Sequence, residues 1–296
     1  MPFADINGVR LHYEEYGTGT PLVFVHEFAG DSRSWRPQVQ FFARRYRCVV
    51  YDARGYPPSE VPQDAALYSQ DHAVADLLGI LDRLKLDQAH IVGFSMGGYA
   101  ALIFGLRHPR RARSLTIAGV GYGSTPDRSD FERDVEKSAA RFESEGMERM
   151  GAVYARGPTR VQFEDQDPWG YAEFRAHFLA GSALGHAHTL RGVQKKRPSV
   201  LELEAQLKTL RVPTLLITGD EDEPCLEPAL FMKRTIPSAA LVVMPRAGHT
   251  VNLEAPDAFN RHVLDFMTQV DAGRWTLRNP ASLSQSAILP AQELGR

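Results

Sequence analysis

Six short apolar runs, separated mostly by helix-compatible stretches, restrict the folds open to this chain of 296 residues. The runs show little alternation of apolar and polar residues, as expected for strands that are covered on both faces of a parallel sheet. They are PLVFVH, RCVVYDA, AHIVGF, SLTIAGV, TLLITGD and ALVVMP. Between the second and third runs, apolar residues recur at the spacing of one helix face: Val74, Leu77, Leu78, Leu81 and Leu84. This pattern predicts a doubly wound α/β sheet whose ligand site lies at the carboxyl ends of its strands.

The amino-terminal segment predicts a hairpin that adds two strands to these six. FADI and VRLHYEEYG read as strands joined at Asn7-Gly8, a dipeptide that readily adopts the positive φ angles of a tight turn. We therefore expect an α/β protein with a mostly parallel, eight-stranded sheet whose first two strands are antiparallel.

One long interval interrupts the alternation of strands and helices. Residues 124–205 contain no convincing buried strand, are helix-prone, and are broken at Gly157-Pro158 and Asp167-Pro168. We expect a helical cap here, inserted into a core that consists of residues 1–123 and 206–270.

Four aromatic residues recur at helical spacing in the predicted cap: Trp169, Tyr171, Phe174 and Phe178. They either attach the cap to the core or contact a substrate, and both interpretations stay open. Trp169, Phe174 and Phe178 are therefore candidate pocket residues.

Residues 271–296 form a polar, proline-containing extension without a core pattern. We expect Trp275 and Ile288-Leu289 to pack on the same subunit or on a neighbouring one, so a homodimer is one expectation.

Charge and hydropathy narrow the class of partner. A formal net charge of -2 with interspersed acids and bases leaves no basic stripe for nucleic acid, which favours a small-molecule substrate. The first residues lack the pattern of a signal peptide, and no apolar run approaches the roughly 18 residues of a membrane span. We expect a cytoplasmic protein that does not bind membranes. Cys48 and Cys225 are expected to be free thiols.

The stretch AHIVGFSMGGYAALIFGL contains G-x-S-x-G at Gly93, Ser95 and Gly97, between a predicted strand and a predicted helix. That context is the one in which this motif presents a nucleophilic serine on a sharp turn. Since a serine hydroxyl needs a base and an orienting acid, both are expected later in the chain.

His249, just after the last predicted strand, is the candidate base. The preceding strand ends in GDEDEP, where Asp222 is the preferred acid and Asp220 its rival. His186 and His188, with His177 nearby, have no cysteine or spaced carboxylate that would complete a metal site, so neither a metal nor another cofactor is expected.

Over nearly all of residues 3–270 the chain resembles the α/β-hydrolase superfamily. The resemblance rests on the order Ser, Asp, His at strand ends and on GFSMGG. It also rests on YDARGYPPS, a version of the family's D-x-R-G-x-G-x-S, and on GHTVNLEAPDAF. It implies that Ser95 attacks a carbonyl, His249 transfers the proton and Asp222 fixes the imidazole. It also implies that the backbone N–H groups of Phe28 and Met96 form the oxyanion hole.

Glu27 departs from the family pattern, in which a glycine follows the histidine of this loop. One interpretation is that Glu27 points away from the reacting carbon and bonds locally, to Arg33 or a backbone N–H. The other is that it enters the substrate pocket as a second acid-base group or repels anionic substrates. In both, His26 is a structural loop residue. The arginines of the cap, Arg160 among them, are matched by nearby acids and are expected mostly on solvated helix faces.

These residues favour hydrolysis of a carboxylic ester or lactone through an acyl-enzyme intermediate. Carbon–carbon bond hydrolases of the superfamily resemble this layout but tend to carry Asn where Phe94 stands, and Phe94 is a further candidate pocket residue. Amide hydrolysis and cofactor-free perhydrolysis stay open, as does a receptor-like protein with slow turnover. Ser95 argues against the relatives that use an aspartate nucleophile.

Overall fold

A computed structural model describes residues 2–283 and contains one eight-stranded sheet in the order β1-β2-β4-β3-β5-β6-β7-β8. The strands are β1 (Phe3–Ile6), β2 (Val9–Tyr16), β3 (Thr20–Val25), β4 (Tyr46–Tyr51), β5 (Ala89–Phe94), β6 (Ala112–Ala118), β7 (Thr214–Gly219) and β8 (Ala239–Met244). β2 is antiparallel to β1 and to β4, and all other neighbours are parallel. The predicted fold class is confirmed.

The first connection is the predicted two-residue hairpin. Ile6 pairs with Val9, and the two residues between them have positive φ angles, 50° at Asn7 and 77° at Gly8. Asparagine and glycine adopt this conformation at low cost, which explains why the chain reverses here.

Twelve α-helices connect and cover the strands in the part of the chain that the structure describes. They are α1 (Arg36–Phe42), α2 (Gln70–Arg83), α3 (Met96–Arg107), α4 (Ser129–Gly146), α5 (Ala152–Ala155), α6 (Val161–Gln166), α7 (Pro168–Leu179), α8 (Ala183–Thr189), α9 (Glu204–Leu207), α10 (Glu223–Thr235), α11 (Val251–Glu254) and α12 (Pro256–Asp271). None of the helices within residues 2–283 is long and apolar enough to cross a bilayer.

Two apolar layers cover the sheet. One joins the sheet to α2 and α3, with Leu77 and Leu102 fully buried, and the other joins it to α1 and α12 through Phe42 and Phe259. Because both faces are covered, the parallel strands are mostly apolar, without a regular alternation of apolar and polar residues.

Helices α4–α9 lie between β6 and β7, and we refer to them as the cap. The two predicted breaks lie between cap elements: α5 ends at Ala155 before Pro158, and α7 begins at Pro168. The carboxylate of Asp167 accepts a hydrogen bond from the Gly170 N–H at 2.9 Å and so caps α7. A third apolar cluster lies beneath the cap and includes Phe28, Phe142 and Phe178.

The start of the carboxyl-terminal extension packs on its own chain. The Trp275 ring lies 4.6 Å from the ring of Phe266, centroid to centroid, and its Nε1 donates to the Ser238 carbonyl at 2.8 Å. Ile288 and Leu289 lie outside the described residues.

Candidate active site

Ser95 occupies a strained turn between β5 and α3. Its φ and ψ are 53° and −112°, a conformation that costs on the order of 1–3 kcal/mol for a residue with a Cβ. A Cβ at Gly93 would lie 2.3 Å from the Gly97 carbonyl oxygen, and one at Gly97 would lie 2.1 Å from that of Val25. Only glycine fits at these two positions, which explains the spacing of the motif.

Three side chains from separate strand ends meet at this turn. The Nε2 of His249, which follows β8, lies 3.0 Å from the Ser95 hydroxyl. The Nδ1 of His249 lies 2.7 Å from a carboxylate oxygen of Asp222, which follows β7. Among the residues that the structure describes, His249 is the one hydrogen-bond partner of the Ser95 hydroxyl. The arrangement can pass a proton from the hydroxyl to the imidazole.

Asp222 is 1 % exposed and its partner holds it ionised. Burial alone would raise the pKa of this carboxyl, but the charge and hydrogen bond of His249, the hydrogen bond from Cys225 and the charge of Arg160 together lower the pKa. Asp220 is exposed, and its Oδ1 accepts a hydrogen bond from the Ala247 N–H at 3.2 Å. The geometry therefore favours Asp222 over Asp220 as the partner of the histidine.

The backbone N–H groups of Phe28 and Met96 lie at the point where the order of the strands reverses. β3 has β4 on one side and β5 on the other, and Val25 at the end of β3 pairs with Gly93 in β5. Crevices of this kind are the usual ligand sites of doubly wound sheets. Met96 begins α3, so its N–H has no acceptor within the helix. An oxygen bearing negative charge could accept hydrogen bonds here.

His26 holds the loop that contains Phe28. Its Nε2 accepts a hydrogen bond from the Ala53 N–H at 3.0 Å, so its Nδ1 carries the proton and donates to the Glu27 carbonyl at 2.7 Å. Both ring nitrogens are thus used within residues 26–53, as expected for a structural residue.

Glu27 does not bond to Arg33, so that expectation is wrong. The Glu27 carboxylate forms an ion pair with Arg160 of the cap, and both side chains are 2 % exposed. Arg33 instead pairs with Asp31, at 2.5 Å. The prediction of a solvated helix face also fails for Arg160, although it holds for Arg133, which forms an exposed pair with Asp130. The φ angle of Glu27 is not positive, so a residue with a Cβ fits the loop without strain.

The predicted oxyanion and pocket residues include five aromatic side chains, and four of them are buried around this site. Phe28 and Phe178 pack together under the cap with ring centroids 6.5 Å apart. Phe94 lies 5.0 Å from the His249 ring, and Phe174 lies beneath the guanidinium of Arg160. All four are less than 5 % exposed.

Trp169 does not belong to this group. Its side chain is 89 % exposed at the start of α7, so its prediction as a pocket residue is wrong. Tyr171, Phe174 and Phe178 share the inner face of α7, whereas Trp169 lies two residues before Tyr171 and faces outward.

A cavity of about 30 Å³ is lined in part by His26, Met96 and Gly97. It has room for little more than one water molecule. Within residues 2–283, one group of three metal-capable side chains has ligand atoms within 4.8 Å of one another: Asp222, Cys225 and His249. Because two of them form the hydrogen bond described above, the group is better suited to proton transfer than to holding a cation.

Arg160 belongs to this site although no local sequence pattern singles it out. It lies in a short 3₁₀ turn, Pro158–Arg160, directly after the predicted break. Glu27 stands where the family pattern has a glycine, which indicates that a nearby positive charge is needed. The sequence does not indicate which arginine of the cap supplies that charge.

Comparison with known proteins agrees with this geometry. A family model described as "alpha/beta hydrolase fold" matches residues 20–256. The 2-hydroxymuconate semialdehyde hydrolase of Pseudomonas sp. (strain CF600) is 30% identical over 270 residues, which span 90% of this chain and 93% of that protein.

Two solved structures are similar over most of the chain. The enol-lactonase from Burkholderia xenovorans LB400 is 27% identical, with a TM-score of 0.79 over 90% of this chain and 100% of that one. A thermophilic esterase from Thermogutta terrifontis is also 27% identical, with a TM-score of 0.82 over 91% and 99% of the two chains. The matched segment runs from β3 to the beginning of α12 and includes all three residues of the hydrogen-bonded relay, and the chain belongs to the α/β-hydrolase family.

Proposed function

We propose that the protein is a serine hydrolase that cleaves a small-molecule carboxylic ester or lactone through an acyl-enzyme intermediate. The observation that carries this proposal is the pair of hydrogen bonds that runs from Ser95 through His249 to Asp222. The resemblance in fold and sequence to an enol-lactonase and an esterase supports these two substrate classes.

In the first half-reaction, the Ser95 oxygen attacks the carbonyl carbon while His249 Nε2 takes the hydroxyl proton. The Asp222 carboxylate keeps the proton on Nδ1 and stabilises the imidazolium. The N–H groups of Phe28 and Met96 donate to the carbonyl oxygen as it becomes negative. Collapse of this intermediate breaks the ester C–O bond, and His249 gives its proton to the leaving alcohol.

In the second half-reaction, water attacks the acyl carbon and His249 accepts its proton. The carboxylic acid leaves, and the proton returns to the Ser95 oxygen. Each step uses groups of this chain and water.

One comparison favours a wider set of substrates. The relative that is 30% identical is a hydrolase of 2-hydroxymuconate semialdehyde. Phe94 lies against His249, in the position where carbon–carbon bond hydrolases of the superfamily tend to carry Asn, and this ranks that activity below ester and lactone hydrolysis. Cleavage of carbon–carbon bonds is therefore the second candidate, and ring-fission products belong in the assay panel.

The proposal is tested with Ser95→Ala and a panel of p-nitrophenyl esters, lactones and ring-fission products. We expect turnover to fall by about 10⁴-fold or more, while the melting temperature and circular dichroism stay those of the wild type. Wild-type protein should also be labelled at Ser95 by a fluorophosphonate. Full activity in the variant would overturn the proposal, and labelling without turnover would favour the receptor-like alternative.

A further inference from the structure

We propose that Glu27 and Arg160 form a positioning pair that couples the cap to the two loops supplying the oxyanion donor and the base. This inference rests on the proposed serine hydrolase function. We call residues 26–30 the oxyanion loop and residues 245–250 the histidine loop.

The pair lies between the cap and the oxyanion loop. The two side chains are 133 residues apart in the chain and form a buried ion pair through one carboxylate oxygen and Arg160 Nη2. Glu27 directly precedes Phe28, whose N–H is the proposed oxyanion donor. A shift of Arg160 would therefore be transmitted to the donor through a single peptide unit.

Arg160 also contacts the histidine loop. Its Nη1 donates to the Thr250 hydroxyl at 2.9 Å, and the preceding cap residue, Thr159, accepts a hydrogen bond from the His249 N–H at 3.3 Å. Two adjacent cap residues thus bind the base and the residue that follows it.

The histidine loop is also held by α11. The Glu254 carboxylate accepts hydrogen bonds from the N–H groups of Gly248 at 2.5 Å and Thr250 at 2.6 Å. With both Glu254 and Arg160 bound to it, the loop has few ways to absorb small movements of the cap.

Charge explains why the two residues are needed together. A buried carboxylate beside the oxyanion hole would oppose the negative charge that develops there, unless a cation neutralises it. Arg160 supplies that cation and is itself held over the ring of Phe174, with 5.2 Å between the guanidinium carbon and the ring centroid. Burial would lower the pKa of Arg160, but Glu27 and its neighbours raise it, so the guanidinium stays charged.

The pair should affect the rate of reaction, because oxyanion donors act through a geometry that is set before the reaction begins. The Phe28 donor and the His249 base are both held by residues 159–160 of the cap. They therefore keep their relative position only while the cap stays docked on the core. Loss of Arg160 should therefore lower kcat more than it raises KM.

The central test is Arg160→Met, which removes the charge and both hydrogen bonds but retains an unbranched side chain. We expect kcat for an ester to fall about 30- to 300-fold, a range close to the loss of one oxyanion donor. KM should change by less than about threefold, and the rate at which a fluorophosphonate labels Ser95 should fall in parallel with kcat.

Arg191→Met is the matched control. Arg191 is also a cap arginine paired with carboxylates, those of Glu136 and Glu143, but it lies at the surface and away from both loops. The same chemical change there should leave kcat within about twofold of the wild type.

Two further variants keep the test decisive if Arg160→Met folds poorly. Arg160→Lys retains the cation but lacks the fork that reaches Glu27 and Thr250 together, and it should recover only part of kcat. Thr250→Val removes the Thr250 hydrogen bond alone and should lower kcat about threefold to tenfold, without a matching change in KM.

The double variant Glu27→Ala/Arg160→Met separates positioning from simple charge burial. If the residues act as one positioning pair, its kcat should stay as low as that of the worse single variant. Recovery of kcat toward the wild type would mean that Arg160→Met fails only through the unpaired charge of Glu27, and it would overturn the inference. Folded Arg160 variants with lower melting temperatures but wild-type kcat and labelling rates would overturn the inference. Failure of the wild type to label at Ser95 would instead overturn the proposed function.

Discussion

His249 and Asp222 lie 27 residues apart in the chain, yet the imidazole Nδ1 and a carboxylate oxygen are 2.7 Å apart, and Asp220 takes no part in the contact. The choice between two nearby aspartates is thus made by the turn after β7. Asp222 is buried behind the histidine, whereas Asp220 is exposed.

Asp222→Asn should lower kcat for an ester by about 10⁴-fold, because an amide cannot stabilise the imidazolium or hold the proton on Nδ1. Asp220→Asn is the matched control and should retain most of the activity. Steady-state kinetics on both variants decides the assignment, and the opposite order of effects would make Asp220 the acid.

Gly97→Ala should destabilise the protein by about 2–3 kcal/mol, because the new methyl group would collide with backbone atoms of β3 that cannot move aside. Gly151→Ala is the control: a Cβ there meets the ends of flexible side chains, Leu179 and Met147, at 3.0 and 3.2 Å. Urea denaturation should show a clear loss for the first variant and a small change for the second.

His186 predicts acid sensitivity of the cap. Burial lowers its pKa from 6.5 to about 4, since its ring is enclosed by Phe28, Phe142, Phe178 and Tyr56. The unfolded chain therefore takes up a proton before the folded chain does. The neutral His186 ring contributes about 3 kcal/mol to the free energy of unfolding above pH 6.5, and this contribution is lost as the pH falls toward 4.

His186→Phe should therefore flatten the fall in unfolding free energy between pH 6.5 and 4. Part of the fall should persist, because burial also lowers the pKa of His90 to about 4. The exposed His262 serves as control, and His262→Gln should leave the slope unchanged. An unchanged slope for His186→Phe would contradict the prediction.

Replacing the outer and the inner aromatic side chains of α7 with alanine should have different effects on stability. Trp169→Ala should change neither KM nor stability by a measurable amount, because that ring is almost fully in solvent. Phe178→Ala should cost about 3–5 kcal/mol, since its ring is buried against Phe28 and Tyr154. Melting curves and ester kinetics on both variants test this contrast.

The sequence predicted the features that local rules control. Strand runs, the Asn7-Gly8 turn and the strained turn at Ser95 each follow from a few adjacent residues, and the structure places them as expected. The orientation of Trp169 was also accessible, since it is out of phase with the buried face of its own helix. Spacings of three and four residues relate Tyr171, Phe174 and Phe178, whereas Trp169 is two residues from Tyr171 and does not belong to the helical stripe.

The partner of Glu27 was not accessible in this way. Arg160 lies 133 residues further on, in a short turn without periodicity, and nothing local distinguishes it from the surface arginines of the cap. Contacts between a cap and a core depend on how two separately folded layers dock, and one sequence carries little information on that docking.

The packing of Trp275 has a consequence for the far edge of the sheet. β8 is an edge strand, and the extension crosses the chain just before it, where Arg278 N–H donates to the Pro237 carbonyl at 2.9 Å. Unprotected sheet edges are templates for pairing between molecules. A chain cut after residue 272 would bare the ring of Phe266 beside that edge, so we expect it to self-associate and precipitate at concentrations that the intact protein tolerates.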